Sequence, residues 1–149
     1  MKIKRRVVID LSIHFISTLL LAVLIYRISN NFFYAGIVIF GGLLIDLDHF
    51  VDCYICFKKR IKLTDIFACR SLQSGKVYIF LHSWELIIVI LIIALITKSY
   101  EFFIFFLSLS LHLFIDNIQR KNHLFYFLIY RFYKEFKADV LLPELKDEF

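Results

Sequence analysis

Four apolar runs constrain this chain most: residues 7–26, 31–50, 77–97 and 101–118. At about 1.5 Å per residue, each is long enough to cross roughly 30 Å of hydrocarbon as a helix. The connections leave little room for a separate soluble domain in 149 residues. The composition agrees, with 60% hydrophobic residues, 18 Phe and a single Pro. The expected fold is all-α: an integral membrane bundle of four transmembrane helices over residues 1–121. An amphipathic helix lying in the interface and a loose tail are expected over residues 122–149, where NHLFYFLIYRFYKEF is aromatic but too charged to span.

The basic residues orient the bundle. Of the 18 Lys and Arg, all but Arg27 and Lys98 fall before the first run, between the second and third, or after the fourth. Cytoplasmic loops are enriched in these residues, so both termini are expected in the cytoplasm. Topology thus explains the net charge of +5, and nucleic acid is not an expected partner. The first run carries Asp10 and His14 and lacks a small-residue cleavage site, which reads as an uncleaved span rather than a signal peptide. Cys53, Cys56 and Cys69 fall on the side where thiols stay reduced, and no second Cys pair follows to complete a zinc site.

Ionisable residues inside the runs are few and clustered. They are Asp10 and His14 in the first, Asp46, Asp48 and His49 in the second, His82 and Glu85 in the third, and His112 and Asp116 in the fourth. With alternating helix direction, His14, Asp46, His82 and His112 all lie roughly 6–11 Å below the cytoplasmic boundary. His112 and Asp116, like Asp10 and His14, are one turn apart on a shared face; His82 with Glu85 and Asp46 with His49 are spaced i, i+3. Gly42 lies on the Asp46 stripe, where a small residue admits a close neighbouring helix.

Buried carboxylates are costly in lipid and repel one another, and a divalent cation removes both problems. Imidazole and carboxylate are ligands that zinc takes in catalytic sites, and the number of donors allows one ion or two. The expected ligands are His14, Asp46, His49, His82, His112 and Asp116, with zinc ahead of manganese or iron. Glu85 is the expected general base and Asp48 the second choice. On an ideal helix Asp48 points about 160° from Asp46, so it is either a bystander or evidence of local unwinding. Asp10 and Asp52 are expected to be solvated, and His123 to lie on the surface.

These residues resemble a family of small bacterial inner-membrane proteins, the membrane-bound metal-dependent hydrolases. The resemblance rests on His14, on GGLLIDLDH at 41–49, on His82-Ser83 and on His112-x-x-x-Asp116, in that order. The chain departs from the family pattern at Ile45, where Pro is usual, and at KVYIFL before His82, where a His-Arg pair often stands. The resemblance implies a bacterial inner-membrane location and hydrolysis. The depth of the polar layer suits an ester or phosphoester of a membrane lipid or lipid-linked molecule. Three other functions compete. One is non-catalytic metal binding for sensing or transport, and transport needs a polar path through the outer halves of the spans, which carry almost no charge. A di-iron centre needs more inward glutamates than Glu85. A structural bundle needs only that the polar groups pair with one another. Oligomeric state is not encoded in any pattern found.

Overall fold

The structure, a computed structural model, describes residues 5–57, 75–120 and 122–143. The expected basic loop up to residue 74, the side chain of Cys56, and Cys69 lie outside the described residues. Four helices form the body: α1 (Arg5–Ser29), α2 (Phe32–Phe57), α3 (Trp84–Thr97) and α4 (Tyr100–Gln119). Three of them contain stretches long and apolar enough to cross a membrane, Val8–Ser29, Phe32–Ile55 and Tyr100–Gln119. That is consistent with an integral membrane protein. Large apolar side chains such as Phe15, Leu43 and Leu95 stand 64–70% exposed, as expected where lipid tails rather than water are the neighbours.

Two tight turns build the bundle as a pair of antiparallel hairpins. Asn30 ends α1 in the left-handed region (φ 49°), and the Asn31 side chain accepts from Phe33 N at 2.9 Å to start α2. Lys98 (φ 52°) ends α3, and Ser99 caps α4 by accepting from Phe102 N at 3.3 Å. Helix α4 is central: it packs against α1, α2 and α3. Two glycines set its approach and that of α1. A Cβ on Gly41 would lie 2.8 Å from Ser108 Oγ, and one on Gly42 would lie 2.9 Å from the Thr18 side chain. The close approach expected at Gly42 is therefore realised, against α1, and Gly41 does the same for α4. Ser108 Oγ crosses the second contact to donate to Val38 O at 2.7 Å.

The expected third span differs. It begins as helix only at Trp84, giving α3 just 14 residues. Residues 77–83 instead form a non-helical strap. Extended backbone packed among apolar helices needs its polar groups satisfied by protein, and two aspartates and an arginine do this. Asp52 Oδ1 accepts from Tyr78 N at 2.5 Å. Asp48 Oδ2 accepts from Leu81 N at 2.5 Å and His82 N at 3.1 Å. Arg131 donates to Ile79 O and, at 2.8 Å, to His82 O. The expectation that Asp52 is solvated is corrected by these contacts: it is 1% exposed.

The C-terminal region also differs from the single interfacial helix expected. Residues 122–143 fold as a 3₁₀ turn (His123–Tyr126) and two short helices, α5 (Leu128–Tyr133) and α6 (Ala138–Leu141). Their inner residues, Phe125, Tyr126, Ala138, Leu141 and Leu142, join Val77, Ile79, Ile87, Leu109 and Leu113 in one buried cluster. Backbone pairing of Val77 N with Phe136 O (3.0 Å) and of Ala138 N with Gly75 O (2.9 Å) ties the region to the strap. The segment is a lid on the strap, with an outer face of exposed Ile129, Phe132 and Tyr133. His123 is exposed, as expected.

Candidate metal centre

The two hairpin turns lie at one end of the bundle, so residues equally far from them come level. His14, Asp46 and His112 stand roughly 18–23 Å from their turns at 1.5 Å per helical residue, and His82 lies in the strap just before the start of α3. All six expected ligands converge there. They form two groups in which one donor atom per residue lies within 4.8 Å of the others: His14, His112 and Asp116, and Asp46, His49 and His82. Either group could hold a metal ion.

The groups interlock. Asp116 sets Oδ1 2.9 Å from His14 Nε2 and Oδ2 3.6 Å from His82 Nε2 and 3.7 Å from His112 Nε2. His112 Nε2 is also 3.4 Å from Asp46 Oδ1. Three imidazoles therefore turn Nε2 toward the same carboxylates. The His14 and His112 rings stack at 4.0 Å, and the His49 ring is 4.9 Å from that of His82.

The donor set fits a cation. His14 Nε2 is buried and sits at hydrogen-bonding distance from Asp116, yet the pair lacks hydrogen-bond alignment; both His14 ring nitrogens and His112 Nδ1 have no hydrogen-bond partner among the described residues. Buried polar atoms without partners are uncommon and call for an explanation. A positive ion between His14 Nε2 and the carboxylate oxygens would give that nitrogen a partner.

Asp48 has a different place from the six. It is 1% exposed, on the opposite side of α2 from Asp46, and α2 remains helical through both. Its Oδ2 lies 3.3 Å from His82 Nδ1 while holding the strap amides. It orients the His82 ring so that Nε2 faces the centre, the arrangement of a carboxylate behind a metal-binding histidine. The expected catalytic role for Asp48 is replaced by a positioning one, because both its position and its hydrogen bonds direct it away from the pocket.

Glu85 is likewise elsewhere. His82 lies in the strap rather than on α3, so the i, i+3 relation does not put the two on one helix face. The Glu85 carboxylate accepts from Leu128 N at 2.9 Å and Ile129 N at 3.0 Å, capping α5. With both oxygens held by backbone amides, it is not placed as a general base. Glu85→Gln is expected to weaken this cap, lowering stability by about 1–2 kcal/mol in a thermal or denaturant melt, with metal content unchanged. Loss of metal at unchanged stability would contradict the capping role.

Two residues outside the expected set matter. Arg131 is fully buried and ties the strap carbonyls of Ile79 and of His82 itself; burial draws its pKa down to about 10, opposed by the charges of Asp48 and Glu85, so it stays protonated at neutral pH. Asp10 lies with Oδ1 3.5 Å from His14 Nε2 and its side chain 40% exposed, at the rim of the cluster. Its i, i+4 spacing from His14 was legible. Arg131 gave no signal, because an arginine in an aromatic helix reads as an interfacial charge.

Comparison with models of protein families, with curated proteins and with solved structures gives no match.

Proposed function

We propose that this chain is a metal-dependent hydrolase of a bacterial inner membrane, acting on an ester or phosphoester of a lipid or lipid-linked molecule. The observation that carries the reading is the convergence of four histidines and two aspartates, from three helices and the strap, into two adjoining three-residue groups. That donor set exceeds the four ligands of a single tetrahedral zinc and suits a pair of ions. Zinc is the proposed metal, with manganese or iron the other candidates. The resemblance of the DLDH, His-Ser and His-x-x-x-Asp elements supports the hydrolytic class. In this reading the bundle crosses the membrane four times. Helix α3 covers roughly 21 Å and the strap completes the crossing on the side of the metal centre; the excess of basic residues supports this as the cytoplasmic side, shared by both termini.

When bound, the metal supplies a lowered pKa for coordinated water and polarisation of the scissile group. The protein residues supply the rest. His14, His112 and Asp116 hold one side of the centre, Asp46, His49 and His82 the other. Asp48 fixes His82 with Nε2 inward, and Arg131 fixes the strap that carries it. Asp10, the rim carboxylate left without a ligand or capping role, is the proposed proton acceptor at Oδ1, taking the place first expected for Glu85.

The test uses zinc-loaded protein in liposomes of ester phospholipid, with release of fatty acid or of the headgroup as readout. Wild type is expected to turn over. Asp10→Asn is expected to keep its metal and lose about 10²–10⁴-fold in rate, the scale of a general base. Loss of metal in Asp10→Asn would make it a ligand, and absence of turnover with any ester or phosphoester lipid would reject the enzymatic reading.

A further inference from the structure

The centre is not sealed inside the bundle. A groove of about 330 Å³ runs between α1 and α2, and His14 and Asp46 both line it. Its walls are Leu11, Phe15 and Leu19 on one side and Ile39 and Leu43 on the other. These wall residues are 40–70% exposed along the face of two spans. The groove therefore opens sideways, where lipid tails lie, and not toward water. Its floor is the Gly42–Thr18 contact, where α1 and α2 approach closely.

Polarity is distributed unevenly along it. From Asp46 toward Ile39, and from His14 toward Leu19, the groove leaves the polar layer and runs toward the hairpin turn, bordered by apolar side chains. Asp46 to Ile39 spans about 10 Å of helix, and His14 to Leu19 about 8 Å. A slot with metal ligands on its flank and an apolar trough extending from them along the helix axes matches a molecule with a polar head joined to a chain lying parallel to the bilayer normal.

We propose that this groove takes an acyl chain of a membrane phospholipid, which reaches the centre laterally from the leaflet with its headgroup linkage beside His14 and Asp46. The proposal rests on the hydrolase reading above and names its substrate class. Moving a chain from bilayer to groove gains no hydrophobic free energy, since lipid tails are as apolar as leucine. The groove thus sets position, and coordination of the headgroup phosphate at the loaded centre would hold the molecule.

The test places zinc-loaded protein in nanodiscs of phosphatidylglycerol containing a trace of phosphatidylglycerol with a diazirine in one acyl chain. After illumination, adducts are mapped by mass spectrometry. They are expected to concentrate on residues 11–19 and 39–43. Leu43→Trp and, independently, Ile39→Trp fill the groove from exposed positions and are each expected to reduce those adducts about tenfold or more, a shift of at least 1.4 kcal/mol. Leu95→Trp, on the lipid-facing side of α3, is expected to leave them unchanged. Adducts spread evenly over the lipid-facing residues of α1, α2 and α3, or undiminished by both groove variants, would overturn the proposal. Zinc content read on the same samples separates the two levels: metal present with even labelling removes the groove and leaves the hydrolase reading standing.

Discussion

Asp116→Asn is expected to cost at least the 10²-fold in metal affinity that removal of a supporting group can cost, and more because Asp116 belongs to the donor set itself. Its two oxygens face His14, His82 and His112 at 2.9–3.7 Å, so it contacts members of both groups. Asparagine keeps the shape and removes the charge. The helix has no reason to change, because Asp116 lies within α4 and gives no cap or turn. Elemental analysis of the variant after equilibration with zinc should find both positions depleted. By contrast, His49→Ala is expected to affect only the group that contains it.

The second large effect is expected at Arg131. Replacing it with methionine preserves most of the apolar stem and removes the guanidinium donors to Ile79 O and His82 O. Each carbonyl left buried without a partner costs about 1–3 kcal/mol, so destabilisation of about 2–6 kcal/mol is expected. The functional consequence is more specific. The strap carries His82, and the strap lies between Arg131 and Asp48. With one support gone, the Asp46–His49–His82 group is expected to lose its ion while His14, His112 and Asp116 keep theirs. Denaturant melts together with metal stoichiometry check both parts. Arg131→Lys should not rescue, because one ammonium cannot reproduce the two directed donors of the guanidinium fork. Full metal content in a destabilised Arg131→Met would show that the strap is held by Asp48 and Asp52 alone.

The sequence revealed the centre better than it revealed its scaffold. His14, His112 and Asp116 were legible because charged residues inside long apolar runs are expensive and therefore informative, and because helical rise converts sequence position into depth. The helices long and apolar enough to cross a membrane, α1, α2 and α4, were legible for the same reason. The strap was not. KVYIFLHS continues the apolar run into α3 without Pro or Gly to interrupt it, and what stops the helix is tertiary: hydrogen bonds from Asp48, Asp52 and Arg131 to its backbone. The same contacts account for the misassigned roles. Asp48 was ambiguous from periodicity alone, since a residue turned 160° from Asp46 on an ideal helix has a purpose only once something lies opposite it. Glu85 looked catalytic while His82 and Glu85 were imagined on one helix; with His82 in the strap, the carboxylate meets the amides of α5 instead. The C-terminal segment misled for a related reason: its aromatic pattern fits a membrane surface, whereas Phe125, Tyr126 and Leu141 are buried against the strap.

The claim beneath all of this is that the converging imidazoles and carboxylates hold metal. The direct measurement is elemental analysis of wild-type protein purified without chelator and equilibrated with zinc, manganese or ferrous iron. The expected result is about two ions per chain, the content of a paired-metal site, falling in Asp116→Asn. Folded protein that binds none of the three metals would contradict the account and leave the cluster as polar groups paired only with one another.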